Sequence, residues 1–329
     1  MIRFVIRRIL LMIPVILGVL LIVFTVNRMS GDPVAAILGA DATEEQYEAE
    51  RVKLGLDKPI YVQFFIYVKG IITKFDLGRS FISKQPVSKE ILTRLPISIG
   101  LSLVSLTIAL ILGVTFGVLC AINQNSKVDY IITLIALINC SMPGFWVALM
   151  LIIIFAVHLG LLPPSGLGSF RYWILPCTAM ALGPIASLTR ITRSSMLEVI
   201  RQDYISTAKS KGLSKPIIIL KHALKNAIFP IITVFGAISS ASIGGSVVLE
   251  TVFQIPGIGS YLTGAISNRD YPAIQSTVFI LSLLVCVVNL LVDITYGFVD
   301  PRIRAKYANS TARKKKKKTP VKNPTQEAA

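Results

Sequence analysis

The stretch DYISTAKSKGLSK, Asp203–Lys215, is polar and basic, yet it lies between two long apolar runs of the chain. The pattern predicts a helix over Met196–Lys211, in which Ile200, Tyr204 and Ala208 recur every four residues. That spacing places the three side chains along one face of the helix. A short amphipathic helix is therefore expected between two membrane-like segments.

A glycine turn and a second helix are expected to follow. Gly212 ends the first helix, since glycine readily takes the left-handed conformation found just after helices. Ser214 occupies a capping position, and Pro216 fits the first turn of the next helix. The sequence PIIILKHALKNAIF then continues to Pro230, where the next apolar run is expected to begin. The predicted order is helix, turn, helix and membrane span.

The composition of the whole chain is that of a membrane protein. Of its 329 residues, 53% are hydrophobic and only 16% are charged, against about 25% charged residues in soluble domains. The net charge of +17 comes without any nucleic-acid-binding motif, so no nucleic-acid partner is expected. The four cysteines form no CxxC pair and are expected to be packing residues rather than metal ligands; they are Cys120, Cys140, Cys177 and Cys286.

Six apolar windows are long enough to cross about 30 Å of hydrocarbon. They cover 9–28, 96–121, 131–158, 173–193, 229–253 and 274–298. The first window follows MIRFVIRR, a start that would also suit a signal peptide. It is longer than a signal-peptide core and has no A-x-A cleavage site, so an uncleaved first helix is expected. The fold class predicted is all-α and polytopic, with six transmembrane helices.

Charge sets the predicted orientation. Arg3, Arg7 and Arg8 place the N-terminus in the cytoplasm by the positive-inside rule, and six spans then return the C-terminus to the same side. The loop 194–228 is cytoplasmic in this arrangement. Residues 29–95 lie outside, although they hold nine Lys and Arg and nine Asp and Glu, because long loops are translocated largely regardless of charge.

This arrangement divides the chain into four parts. The N-terminus and first transmembrane helix cover 1–28, a small extracytoplasmic segment covers 29–95, a five-helix core with the loop 194–228 covers 96–306, and a basic disordered tail covers 307–329. Within the outer segment, TEEQYEAERVKLG is predicted to be helical with a stop at Gly55. YVQFFIYVKGIITKF is predicted to be an amphipathic, interfacial stretch.

Two interpretations of the cytoplasmic loop are open from the residues alone. It is either a solvated basic loop that anchors the chain at anionic lipid headgroups, or a docking element for a cytosolic partner. The small residues Ala208, Ser210 and Gly212 would allow close approach of another protein.

The loop resembles the cytoplasmic "EAA" loop of ABC importer permeases, in the form of the dipeptide, oligopeptide and nickel branch. The resemblance is carried by DYISTAKSKGL and by the stretch KHALKN with the proline that follows it. In that family the loop forms a coupling helix that sits in a groove of the ATPase subunit. The residues that the resemblance assigns to this coupling are Tyr204, Thr207, Ala208, Lys211, Gly212, Leu213, His222, Ala223, Leu224, Asn226 and Pro230.

Further motifs, in the same order along the chain, resemble the first-type subunit of the permease pair. They are SGDP at Ser30–Pro33, LGLDKPIYVQF at Leu54–Phe64, DLGRS at Asp76–Ser80, RLPISIGLSL at Arg94–Leu103, GGSVVLETVFQIPGIG at Gly244–Gly259, DYPAIQ at Asp270–Gln275 and NLLVDITYGFVDPRIR at Asn289–Arg304. The resemblance covers nearly the whole chain to about Lys306, and the lysine-rich tail has no counterpart in it.

The resemblance implies a non-catalytic subunit in a bacterial or archaeal plasma membrane. It would work with a second permease, two cytosolic ATPases that bind ATP and Mg, and an extracytoplasmic solute-binding protein, among membrane lipids. Peptides are the expected solute, and nickel or a metal chelate is the alternative within the family. A stand-alone secondary transporter is a further alternative, and the lack of a visible internal repeat disfavours it.

Polar residues inside the predicted spans are candidates for the translocation path, because their desolvation is costly. Glu250 lies near the outer end of the fifth span. Asp293 and Asn289 share one face of the sixth span, and Asp293 is expected to pair with Arg190 or Arg193. Ser239 and Ser240 belong to a small-residue run. Helix–helix packing is the alternative role for these groups, and for the small-residue run it is the favoured one.

The sequence offers no catalytic site. It contains no Gly-Lys dipeptide, so a phosphate-binding GxxxxGK[ST] loop cannot occur, and neither HExxH nor GxSxG is present. We therefore expect no catalytic residue, no metal site and no cofactor in this chain.

Overall fold

The computed structural model describes residues 2–29, 33–38 and 42–299. This part is mainly helical, and the one β-bridge within it joins Arg79 to Pro86. The predicted tail and the motif at Ser30–Pro33 lie wholly or mainly outside the described residues. The helices are α1 (Ile2–Met29), α2 (Pro33–Leu38), α3 (Glu44–Lys53), α4 (Ile60–Lys74), α5 (Val87–Ile122), α6 (Lys127–Ser141), α7 (Gly144–Leu151), α8 (Arg171–Ile200), α9 (Asp203–Ser210), α10 (Lys215–Ile217), α11 (Lys225–Val252), α12 (Ile258–Ser267) and α13 (Tyr271–Val299).

Five single helical segments in the described part are long and apolar enough to span a membrane. They cover Val5–Met29, Val87–Ile122, Arg171–Ile200, Lys215–Val252 and Tyr271–Thr295. The predicted third window is instead a bent pair, in which α6 meets α7 and the π-helix Ile152–His158 at 107°. Met142 before the break is extended, because the residue before a proline, here Pro143, is disfavoured in the helical conformation. Counted as one span, the pair gives six.

The centre of the molecule is the close contact between α5 and α8. Gly113 and Gly117 lie on the α5 side of this contact, and a Cβ at either position would overlap with Leu188 or Thr192 of α8. The two glycines therefore let the helices approach more closely than larger side chains would allow. Helix α11 also packs along α8.

An ion pair with a buried carboxylate joins the bent pair to this centre. Both Asp129 oxygens, in the first turn of α6, accept hydrogen bonds from Arg193 of α8 at 2.7 Å. Asp129 also accepts from the amide of Asn125 at 3.0 Å. A two-point guanidinium–carboxylate contact fixes direction as well as distance, so it holds the start of α6 against α8.

The described part of the segment predicted to be extracytoplasmic is mainly helical and packs against the ends of α1 and α13. Thr43 forms the predicted start of α3 through a capping box with Gln46, and Gly55 takes a positive φ of 66° just after the helix. The predicted interfacial stretch is helical as α4. Phe24 of α1 contacts the rings of Phe64 and Tyr67 of α4, with centroids 5.5 and 6.2 Å away.

The loop between α4 and α5 is tied to the start of α13. Asp270 is 3% exposed; its carboxylate accepts hydrogen bonds from the Ser80 hydroxyl and from the Phe81 amide. Ser276 donates to the Leu77 carbonyl at 2.6 Å. The sequence motifs DLGRS and DYPAIQ thus meet in space, although about 190 residues separate the Ser80–Asp270 pair.

Candidate functional site

The loop predicted to couple the chain to a partner is a short helix with a glycine turn. The chain leaves α8 at Ile200, turns at Gln202 and forms α9. Gly212 has the predicted positive φ, 76°, and its amide donates to the Lys209 carbonyl at 2.9 Å. Ser214 occupies the predicted capping position before α10, without a side-chain hydrogen bond.

The predicted apolar stripe is wrong in detail. The expected continuous helix over Met196–Lys211 is interrupted at Gln202, so Ile200 and Tyr204 do not share a helix. The buried face of α9 consists instead of Ile205 and Ala208, which are 0% and 7% exposed. The two residues pack within the chain, in a cluster that also contains Met196, Ile218, Ala223 and Ala227.

The opposite face of the loop is open to solvent. Tyr204 is 43% exposed, and Thr207, Lys211, Gly212 and Leu213 are exposed beside it. The Thr207 hydroxyl donates back to the Asp203 carbonyl at 3.1 Å. The internal cluster thus holds α9 by one face, while the other presents an aromatic ring, small side chains and a cation to the surroundings.

The second half of the loop passes into a membrane helix without a break. A π-helix, Ile218–Leu224, carries His222 and Ala223 and continues directly into α11. Ala223 is buried, and the Asn226 amide donates to the His222 carbonyl at 2.6 Å. The prediction that the second helix ends at Pro230 is wrong, because α11 continues through this proline and its span begins at Lys215.

Glu250, a predicted path residue, is completely buried. Its Oε2 accepts hydrogen bonds from the amides of Gly259 at 2.7 Å and Ser260 at 3.2 Å, which belong to the first turn of α12. A negative group is favourable at this end of a helix, where amides lack helical partners. Ser98 of α5 completes the arrangement by accepting from the Ile258 amide at 2.8 Å. The carboxylate therefore connects α11 to α12.

The other predicted path residues lie on α11 and α13. Ser239 is 8% exposed and donates to the Phe235 carbonyl, whereas Ser240 donates to the Asn289 side chain at 2.7 Å and links the two helices.

Asp293 pairs with Arg8 of α1 at 2.9 Å. The predicted pairing of Asp293 with Arg190 or Arg193 is wrong, since Arg193 is held by Asp129. The Arg8 pair instead joins the first helix to the last one.

Three polar positions that sequence reasoning missed are as well connected as the predicted ones. Asp129 and Asp270 each follow a turn and lie within one turn of a helix start, where an acidic residue is favourable. That signal predicts a cap. It does not identify distant partners such as Arg193 and Ser80, which lie 64 and 190 residues away. Ser98 follows Pro96 in an apolar helix and carries no signal of its contact with the Ile258 amide.

Comparisons with known proteins cover most of the chain. The family "binding-protein-dependent transport system inner membrane component" matches residues 113–305, and the model of its N-terminal region matches residues 1–102. A putative peptide transport system permease of Brucella abortus is 42% identical over 91% of this chain and 98% of its own length. The dipeptide transport system permease DppB of Alkalihalophilus pseudofirmus is 38% identical over 92% of this chain and its full length.

Among solved structures, the inward-facing MetNI methionine ABC transporter shares the fold with a TM-score of 0.54. It is 18% identical, and the match covers 64% of this chain and 96% of that one.

Proposed function

Since the chain belongs to the binding-protein-dependent transport system inner membrane component family, and is thus a multi-pass translocation subunit of an ABC importer, we propose that its solutes are di- and oligopeptides. The support for this solute class is the relatives, because a peptide permease and a dipeptide permease match over more than nine tenths of the chain.

The proposed complex contains a second, similar permease, two cytosolic ATPases and an extracytoplasmic solute-binding protein. The observation that carries this proposal is the geometry of α9, which is held by Ile205 and Ala208 and exposes Tyr204. Such an element can transmit force, since its buried face is continuous with the ends of α8 and the π-helix. Closure of the ATPases on ATP would move α9, and the membrane helices would switch their access from inside to outside.

In this proposal the chain itself hydrolyses no ATP, and Mg and ATP bind to the partner subunits. Both termini are cytoplasmic, in agreement with Arg3, Arg7 and Arg8 near the start of the chain. Glu250, Ser239, Ser240, Asn289 and Asp293 remain proposed neighbours of the path. For Glu250 and Asp293, contacts within the chain support the alternative role in packing.

Uptake by the reconstituted complex tests the proposal. Proteoliposomes that contain all subunits, with the binding protein outside, should accumulate a labelled tripeptide only when ATP is enclosed in the lumen on the ATPase side. Tyr204→Ala should lower uptake and the retention of ATPase subunits, whereas Tyr61→Ala, which removes an exposed ring from α4, should change neither. ATP-driven accumulation of nickel without peptide would refute the peptide assignment.

A further inference from the structure

A wide cleft of about 1030 Å³ lies in the extracytoplasmic part of the described chain. Its walls are the end of α1, helices α3 and α4, the loop 76–84 and the start of α13. The volume is at the upper end of the range, about 300–1,000 Å³, that small-molecule sites occupy. No residue of the coupling loop and none of the predicted path residues lines it.

Helix α4 shows which way the cleft faces. Tyr61, Phe65 and Ile72 are 64%, 69% and 76% exposed, and at 100° per residue they project to one side of the helix. Gln63 and Lys74, which line the cleft, project to the opposite side. An exposed apolar face on an amphipathic helix at the membrane boundary lies toward the lipid. The cleft therefore opens toward the aqueous extracytoplasmic side.

The lining of the cleft is strongly cationic. Among its described residues seven are Lys or Arg, including Lys69 and Lys74 of α4, and two are acidic. One of the two, Glu50, already pairs with Lys53 at 3.0 Å. The excess positive charge in a concave surface attracts anions more strongly than the same charges on a flat one.

Two polar side chains in the lining offer a donor and an acceptor. Asn27, only 6% exposed, has an amide nitrogen without a hydrogen-bond partner among the described residues. Gln63 donates to the carbonyls of Leu56 and Lys58, and its own carbonyl oxygen has no partner there. Buried polar groups are normally hydrogen-bonded. A peptide bond carries one donor and one acceptor, so it can supply what both groups lack.

We propose that this cleft binds short peptides through their free C-terminal carboxylate, on the extracytoplasmic side and apart from the translocation path. The cations hold the carboxylate, since charge-assisted hydrogen bonds are about twice as strong as neutral ones. Asn27 and Gln63 contact the peptide backbone. This proposal rests on the proposed peptide function and assigns to the chain a recognition site of its own for the same solute class.

Direct binding tests the proposal. The full-length chain is placed in phosphatidylcholine nanodiscs, where no anionic lipid competes, and titrated with tri-alanine and with tri-alanine amide under saturation-transfer NMR. Tri-alanine should bind, and the amide, which lacks the carboxylate, should bind at least about tenfold more weakly. The double variant Lys69→Glu and Lys74→Glu should lose the preference for the acid.

The matched control is Lys89→Glu, which reverses an exposed lysine of α5 outside the cleft. It should bind tri-alanine like the unmodified chain, and size-exclusion profiles should show that all variants are folded. Equal binding of acid and amide, no binding to the unmodified chain, or no loss in the double variant would each overturn the proposal. Binding in the cleft without ATP-driven uptake would refute only the proposed function, and uptake without such binding would refute only the cleft.

Discussion

At the residue scale, Glu250 shows how contacts within the chain alter the role inferred for a polar residue in an apolar helix. A carboxylate in an apolar helix is costly unless it is hydrogen-bonded. Here two backbone amides of α12 donate to its Oε2. Gly257 is required beside it, because a Cβ there would overlap with the carboxylate and with the Ser98 hydroxyl. Glycine at position 257 thus leaves the space that the Glu250 carboxylate occupies.

Substitutions of Glu250 separate a structural role from a role in transport. Glu250→Gln keeps an oxygen that can accept from Gly259, so thermal unfolding and peptide uptake should remain close to those of the unmodified protein. Glu250→Ala leaves buried amides without an acceptor and should lower the free energy of unfolding by about 1–3 kcal/mol. Fluorescence-detected thermal unfolding beside vesicle uptake measures both. Lost uptake in Glu250→Gln with unchanged unfolding would show that the negative charge itself takes part in transport.

Single residues also mark where prediction from the sequence succeeds. The positive φ of Gly212 and Gly55 was predictable, because glycine after a helix has a local conformational reason to be there. The partner of Asp293 was not, because helices far apart in sequence can meet in several ways. Arg8 reaches it only once α1 lies against α13.

At the scale of elements, the order of the helices in the coupling loop was predicted correctly. The face of α9 that is buried was not. Helix, glycine turn and helix are present, yet the interruption at Gln202 rotates α9 relative to α8, so that Ile205 rather than Tyr204 is buried. The bend between α6 and α7 was missed for a related reason. The sequence is apolar on both sides of Met142 and Pro143. The hydropathy of a window does not show whether the helix bends within it.

Gly212 is the position where a substitution tests this element most cleanly. A Cβ at Gly212 would meet nothing within 4 Å, so any effect arises from the backbone conformation alone. Gly212→Val should be strained by about 1–2 kcal/mol in the left-handed region and should reduce ATP-driven uptake several-fold. Gly212→Asn should retain most of the uptake, since asparagine tolerates this conformation.

The valine and asparagine variants are compared for how readily they take the left-handed conformation, since a Cβ at this position contacts nothing within 4 Å. Co-purification of the ATPase subunits, measured beside uptake, shows whether strain in the turn displaces α9 from its partner. Equal uptake by the valine and asparagine variants would mean that the left-handed turn has no part in coupling.

At the scale of the whole molecule, the fold shared with a solved transporter accounts for only part of the chain. The MetNI structure matches 64% of the chain, whereas the family relatives match more than 90%. Helix α1 is joined to the rest through α13 and through the ring contacts of Phe24. The cleft lies between α1, α3, α4 and the start of α13, and no residue of α8, α9 or α11 lines it.

The proposed orientation of the molecule rests on the positive-inside rule and can be measured on single exposed positions. In a variant without the four native cysteines, Glu45→Cys on α3 should react with a membrane-impermeant maleimide in intact cells. Ser206→Cys on α9 should react only after the membrane is opened, because positive-inside orientation places the coupling loop in the cytoplasm. Both positions are exposed, so a difference in labelling reports the side of the membrane rather than burial. Labelling of Ser206→Cys in intact cells would show that the topology is the reverse of the one proposed. In that case α9 would lie out of reach of any cytosolic ATPase, and the cleft would open to the cytoplasm.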